Sequence, residues 1–192
     1  DLLYLMRRLR DPQTGCPWDL KQDFATILPH TLEEAYEVAD AIERQDWPHL
    51  EEELGDLLFQ VIFYGQMGDE QRLFNLNSII HRLVEKLIRR HPHVFPQGTL
   101  HSERDPSVSP EEAEINANWD RIKQQEKALK PAAQNTTGGL LTDVPVTLPA
   151  LNRAVKLQKK ASRVGFDWPD VQGVLDKIRE ELAEVEAEIA GA

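Results

Sequence analysis

Two short acidic motifs lie close together in the first third of the chain. Glu34 and Glu37 form a Glu-x-x-Glu motif, and Glu53 and Asp56 form a Glu-x-x-Asp motif after fifteen intervening residues. Residues three apart on a helix share a face, with Cβ atoms about 5 to 6 Å apart. Four carboxylates on two facing helices would offer the oxygen ligands that hard divalent cations prefer. Because Mg²⁺ usually completes its coordination with substrate phosphates, the motifs indicate phosphate-ester chemistry.

The alternative interpretation is a solvated acidic helix face, with Glu34 acting only as a capping residue. Against it, Glu53 and Asp56 lie within LEEELGDLLFQVIFY, where leucines flank them and a carboxylate without a partner is costly. Gly55 between them weakens a helix by about 1 kcal/mol relative to Ala. We therefore interpret Gly55 as a point of close approach.

Other metal centres fit the motifs less well. Histidine and cysteine ligands at zinc spacing are missing from the sequence, which disfavours zinc. A di-iron carboxylate bundle would place Glu-x-x-His on two helices, and neither acidic motif contains histidine.

The elements that must position these carboxylates are helices. Apolar residues recur at helical spacing almost throughout, and sustained alternation of β-branched residues is missing, so we predict an all-α fold. The pattern predicts a first helix from Leu2 to Leu9. It then predicts a short helix from Leu20 to Leu28, ended by Pro29.

The acidic motifs fall on the next two predicted helices. Thr31 is expected to cap a helix that runs to about Arg44, with Glu34 as its capping-box partner. Asp46 and Pro48 start the following helix, and a loop of about four residues makes the pair an antiparallel hairpin. Apolar positions predict one buried stripe on the second helix, formed by Leu50, Leu54, Leu57, Leu58 and Val61.

Further helices and a possible second module follow. One helix carries apolar residues from Ile79 to Ile88 and ends at RRHPHVF; another starts at SPEE and runs to about Leu129. Residues 130–149, rich in Pro, Gly and Thr, are predicted to link a module at 1–129 to one at 150–192. REELAEVEAEI repeats LEEAYEVADAI, so Glu181 and Glu184 match Glu34 and Glu37. Because no Glu-x-x-Asp follows them before Ala192, we expect a truncated second module with half a metal site.

The two acidic motifs, with GCPWD upstream and EKLIRRHPHVF downstream, resemble the MazG family of nucleoside triphosphate pyrophosphohydrolases, in the all-α NTP pyrophosphatase superfamily. The resemblance covers nearly the whole chain. It implies a dimeric helical bundle that cleaves an NTP or dNTP, ATP among them, to the monophosphate and pyrophosphate with Mg²⁺. It also implies metal binding at Glu34, Glu37, Glu53 and Asp56. Glu33, next to this set, is a candidate for orienting the water.

A triphosphate beside four carboxylates needs cations on its other side. Lys86 and Arg90, four residues apart on one predicted helix, would both reach a phosphate chain; alternatively, they complement the helix dipole. Trp119 and Lys123 have the same spacing and would offer a base-stacking plane and a cation, unless Trp119 is a core residue.

Two further positions near the motifs are open to interpretation. Trp18 in GCPWD either lines the pocket or anchors its loop. The resemblance favours a lysine before the Glu-x-x-Asp helix, and this sequence has His49. That departure keeps a second interpretation open, in which the chain is a catalytically weak regulatory or dimerisation half and the efficient site belongs to a completed second module.

Composition limits the partners. The formal net charge is −11 and the single cysteine is Cys16, so we expect no duplex nucleic acid partner and no internal disulfide. No apolar run approaches a membrane span, and we expect a cytoplasmic protein with no membrane partner. Nucleoside triphosphates and a second copy of the chain are the partners we expect.

Overall fold

The computed structural model describes residues 1–128 and 139–191, apart from the side chains of residues 120, 127 and 128. These ranges are helical, with turns and no strand, which confirms the all-α prediction. The helices are α1 (Leu2–Leu9), α2 (Pro17–Lys21), α3 (Phe24–Arg44), α4 (Trp47–Glu70), α5 (Leu76–Arg90), α6 (Glu112–Ala128), α7 (Ala150–Ser162) and α8 (Val171–Gly191). The chain divides into two compact units, Asp1–Gln124 and Gln125–Ala192.

The core of the first unit is built around the second half of α4. Phe63 and Met67 of α4 are buried against Met6 of α1 and Ile27 of α3, together with Ile62. Full burial of such side chains stabilises a fold by about 1.5 to 3 kcal/mol each. This core therefore fixes α4, whose first half carries Glu53 and Asp56.

The start of α3 differs from the prediction. A separate helix from Leu20 to Leu28 and a cap at Thr31 are both wrong, because α3 begins at Phe24 and continues through Pro29. The Asp23 side chain accepts hydrogen bonds from the backbone N–H groups of Ala25 and Thr26, and the Thr26 hydroxyl accepts one from the Asp23 N–H.

Two contacts explain why the helix continues past the proline. Pro29 forfeits one intrahelical bond near the helix start, where the reciprocal Asp23 cap already stabilises the first turn. The Thr31 hydroxyl bonds the Ile27 carbonyl at 3.3 Å and the Tyr64 hydroxyl at 2.9 Å. Glu34 is therefore not needed as a cap.

The predicted antiparallel hairpin is formed by α3 and α4. Gln45 ends α3 in the left-handed conformation with φ of 56°, and the Asp46 side chain caps α4 by accepting from the His49 N–H. The connection between Arg44 and Trp47 is thus shorter than the four-residue loop expected. A turn this tight sets the two helices side by side.

The predicted buried stripe on α4 is wrong for this chain. Leu54, Leu58 and Val61 are 49%, 50% and 37% exposed, while Glu53 and Gln60 are buried. A Cβ added at Gly55 would meet nothing within 4 Å, so the described chain supplies no backbone that approaches it closely. The predicted residues do form an apolar stripe on α4, but no described helix packs over it.

A buried arginine fastens the N-terminal segment to α4. The Arg10 guanidinium makes a two-pronged ion pair with Glu70 and donates to the carbonyls of Asp19 and Gln22. Its Cζ also lies 5.3 Å from the centre of the Phe63 ring. Bidentate charge-assisted bonds of this kind are strong and directional. They hold α2, and hence the GCPWD segment, at a fixed place.

The second unit contains α7 and α8. In the segment before α7, Val144 is buried and Asp143 forms an ion pair with Lys160. Residues 130–138 of the predicted linker lie outside the described residues. The exposed side chains of α8 include the two that repeat the first acidic motif. None of the described helices has the length and apolar run needed to cross a bilayer.

Candidate functional site

Three carboxylates meet across the α3–α4 hairpin. Oxygen atoms of Glu34, Glu37 and Glu53 all lie within 4.8 Å of one another. Glu37 and Glu53 are each about two turns from the connection between α3 and α4, and Glu34 and Asp56 are each about three turns from it. Glu37 therefore lies at the height of Glu53, and Glu34 lies at the height of Asp56. The tight connection thus explains why motifs separated by fifteen residues converge.

The Glu34 carboxyl responds to this crowding. Its pKa is raised above the ordinary value of 4.5, first by burial and then by the negative charges of Asp56, Glu37 and Glu53. A hydrogen bond with the Glu37 side chain adds to the rise. The effect of Asp56 shows that it lies close enough to act on the cluster, although it is not among the three within 4.8 Å. The cluster is therefore short of positive charge.

Glu53 is the most enclosed member of the cluster. The residue is 8% exposed, and its Oε1 lies 3.2 Å from Nδ1 of His49, one helical turn earlier. The imidazole therefore contacts a carboxylate of the cluster. The i, i+4 spacing of His49 and Glu53 was a signal for this contact that we did not use in the sequence analysis.

The donor set fits a hard divalent cation. All candidate ligands are carboxylate oxygens, which suit Mg²⁺, Ca²⁺ or Mn²⁺ and not zinc. The ligand oxygens of Glu34, Glu37 and Glu53 lie within 4.8 Å of one another, so these three residues would close on a divalent cation through rotation of their side chains. A cation would also neutralise the repulsion that raises the pKa of Glu34.

The predicted substrate residues form two aromatic groups. Nζ of Lys123 lies 4.8 Å from the Trp119 ring centre, and the His91 ring contacts the same indole edge-on at 5.6 Å. The buried Trp119 N–H has no hydrogen-bond partner. In the other group, Trp18 is half exposed and packs edge-on against His30, with ring centres 5.9 Å apart.

The remaining predicted residues lie near these groups in sequence. His30 is 3.7 Å from Glu33, which is exposed and not part of the carboxylate cluster. His30 lies three residues before Glu33, and this spacing was a signal for the contact that we did not use. Lys86 and Arg90 are half-buried on the last turns of α5. Arg90 is followed directly by His91, which contacts Trp119.

Comparison with known proteins identifies the domain family to which the α3–α4 hairpin belongs. The family model described as "MazG nucleotide pyrophosphohydrolase domain" matches residues 22–95, which include all four carboxylates, Lys86 and Arg90. A nucleoside triphosphate pyrophosphohydrolase of Escherichia coli K12 is 50% identical over 184 residues, 96% of this chain. The chain carries a MazG domain at residues 22–95.

Other MazG relatives agree with this assignment. A Thermotoga maritima protein named nucleoside triphosphate pyrophosphohydrolase/pyrophosphatase MazG is 39% identical over 96% of the chain. A crystal structure of a mazG-related protein from the same organism has a TM-score of 0.52 and 28% identity, covering 64% of this chain and 96% of that one. The chain spans 65% of the length of the E. coli and T. maritima sequence relatives.

The predicted repeat of the acidic motif on α8 is arranged differently. Glu181 and Glu184 are exposed on α8, and Lys177 lies 3.1 Å from Glu181 and 2.7 Å from Glu180. Hydrogen bonds to the carboxylates of Glu180 and Glu181 raise the pKa of Lys177. Within the described residues, no group of three potential ligands forms around Glu181 or Glu184.

Proposed function

We propose that this chain hydrolyses nucleoside triphosphates, NTP or dNTP, to the monophosphate and pyrophosphate, with Mg²⁺ bound by Glu34, Glu37, Glu53 and Asp56. The observation that carries the proposal is the meeting of three carboxylates within 4.8 Å inside the matched MazG domain. The names of the relatives support the reaction class. We also propose that the protein acts in the cytoplasm.

Each part of the site has a role in this proposal. A bound Mg²⁺ would draw charge from the phosphates and lower the pKa of a bound water. Glu34, Glu37, Glu53 and Asp56 hold the cation, and Glu33 is the candidate for orienting the attacking water. Attack at the α-phosphorus forms a new oxygen–phosphorus bond and breaks the bond to the β-phosphate oxygen, releasing pyrophosphate.

The cationic and aromatic side chains bind the nucleotide in our proposal. Lys86 and Arg90 hold the triphosphate through charge-assisted hydrogen bonds. The Trp119 face stacks on a base, and Lys123, already over that ring, contacts a phosphate. In our proposal, Trp18 lines the nucleotide pocket.

We also propose that the protein is a homodimer through the apolar face of the α3–α4 hairpin. Tyr36 of α3 is 61% exposed, and Leu54, Leu58 and Val61 of α4 are 37–50% exposed. Exposed apolar residues that follow helical spacing, as Leu54, Leu58 and Val61 do, are typical of an interaction site. Leu58→Glu should therefore yield monomers in sedimentation measurements, and an unchanged dimer would show that this face is not the interface.

A second candidate function is a weakly catalytic regulatory or dimerisation half. One observation favours it: His49 stands where the resemblance favours a lysine, and its imidazole contacts Glu53. On this alternative, the hairpin binds nucleotide and a partner copy but turns over slowly.

One experiment tests the proposal against this alternative. Pyrophosphate release is measured with a panel of nucleoside triphosphates, with and without Mg²⁺, for the wild type, Glu37→Gln and Glu181→Gln. We expect Mg²⁺-dependent release that Glu37→Gln abolishes and Glu181→Gln leaves unchanged. Nucleotide binding without release in the wild type would support the regulatory alternative, and release that Glu37→Gln leaves unchanged would refute the metal site.

A further inference from the structure

His49 occupies an unusual position relative to the carboxylate cluster. It lies in the first turn of α4, where its backbone N–H donates to the Asp46 cap, so its main chain is fixed. Its Nδ1 is 3.2 Å from Glu53 Oε1, and the two side chains are 40% and 10% exposed. The imidazole therefore lies beside the most enclosed carboxylate of the cluster.

The Glu53 carboxylate needs a contact that fixes its orientation. Its side chain has three rotatable bonds, and the neighbouring carboxylates of Glu34 and Glu37 repel it. Without an anchoring contact, we expect this repulsion to turn the Glu53 carboxylate away from the cluster. A carboxylate has two oxygens with about four lone-pair sites, so one hydrogen bond to Oε1 leaves most of its ligand capacity available.

We propose that His49 is a positioning residue: its Nδ1–H donates to Glu53 Oε1 and holds the Glu53 carboxylate in the orientation that binds the cation. The inference rests on the proposed function, because it concerns the same metal site. Partners of this kind behind metal ligands typically change metal affinity by about 10- to 100-fold when they are removed. His49 itself does not contact the cation.

The chain provides a matched control for this contact. His81 and Glu85 on α5 form the same i, i+4 pair, with Nε2 and Oε1 3.3 Å apart, but both side chains are well exposed at 71% and 58%. No group of potential metal ligands that includes Glu85 is found in the described part of the chain. Any general effect of losing a surface His–Glu pair will therefore appear in His81→Leu as well.

Calorimetric titration with Mg²⁺ alone tests the inference. His49→Leu removes the donor, whereas His49→Asn keeps an N–H donor at the same number of bonds from the backbone as Nδ1. We expect His49→Leu to weaken Mg²⁺ binding at least tenfold, His49→Asn to retain it within about threefold, and His81→Leu to leave it unchanged. In the activity assay, the Mg²⁺ concentration for half-maximal rate should rise with His49→Leu by the same factor, while kcat at saturating Mg²⁺ stays within about twofold.

The outcomes separate this inference from the proposed function. Unchanged or tighter Mg²⁺ binding in His49→Leu overturns the positioning role, since tighter binding would mean that the imidazole competes with the cation. A loss that His49→Asn does not restore also overturns it, because a lost donor would then not be the cause. If the wild type binds no Mg²⁺, or Glu37→Gln binds it normally, the metal site itself fails whatever His49 does.

Discussion

Replacing Glu53 by glutamine should stabilise the metal-free protein while destroying its response to Mg²⁺. Glutamine keeps the size of the side chain and removes one charge from a group whose oxygens lie within 4.8 Å of one another. At that separation two like charges repel by about 0.9 kcal/mol in bulk water and by about 3.5 kcal/mol at an effective dielectric constant of 20. Glu53 takes part in two such pairs, with Glu34 and Glu37.

The net gain in stability is smaller than the sum of these terms. Glu37 is exposed, so its repulsion with Glu53 lies near the value for bulk water. The variant also loses the contact between His49 Nδ1 and a carboxylate oxygen of residue 53. We expect a net gain of about 1 to 3 kcal/mol at pH 8, or roughly 3 to 9 °C in the unfolding temperature for a chain of this length. In the wild type, Mg²⁺ at a hundred times its Kd should add about 2.7 kcal/mol.

Thermal unfolding followed by circular dichroism, in chelator and in Mg²⁺, measures both effects. Glu53→Gln should unfold at a higher temperature than the wild type in chelator and gain almost nothing from Mg²⁺. Glu52→Gln, an exposed neighbour on α4, is the control and should change either temperature by less than about 2 °C. A Glu53→Gln protein that is less stable in chelator, or one that retains the full Mg²⁺ shift, would refute the electrostatic reasoning.

Three further predictions follow from the same hairpin and its neighbours. Lys86→Ala or Arg90→Ala should weaken nucleotide binding at least tenfold in calorimetry, while Mg²⁺ binding in the absence of nucleotide stays constant. A nucleotide affinity equal to that of the wild type would mean that both residues only complement the helix dipole. Because the raised pKa of Glu34 lets the folded chain keep a proton that the unfolded chain releases, metal-free stability should fall as pH rises from 4.5 through that pKa. Unfolding curves at several pH values should show this fall, and Glu34→Gln should reduce it. Gly55→Ala should raise helix stability by about 1 kcal/mol in the free chain, because an added Cβ meets nothing within 4 Å. The same variant should weaken dimerisation in sedimentation measurements. An unaffected dimer would mean that no second backbone approaches Gly55.

The site could be predicted from sequence because its geometry is local. Three-residue spacing on each helix and a short connection are enough to bring Glu34, Glu37 and Glu53 together, and the structure shows them together. Their metal-binding role stays a prediction. The all-α fold followed from periodicity that runs through most of the chain.

The errors arose where a local rule competed with a contact from elsewhere. The missing N–H of Pro29 predicts a helix end, but the Asp23 cap and the bond between Thr31 and Tyr64 outweigh one missing backbone bond. Periodicity also identified the apolar stripe around Leu58 without showing what covers it. The contact of His49 with Glu53 needed side-chain geometry, which spacing alone left open.

The tight turn at Gln45 has a consequence for the order in which the protein assembles. Glu34 and Asp56 are separated by 22 positions in the sequence, and the ligand set belongs to one helical hairpin. Contacts between residues so near in the chain form early in folding, because closing a short loop costs little entropy. On the proposed function, a cation would therefore bind while α1, α5 and α6 are still undocked, and it would act as a folding ligand that selects the hairpin before the core around Phe63 closes.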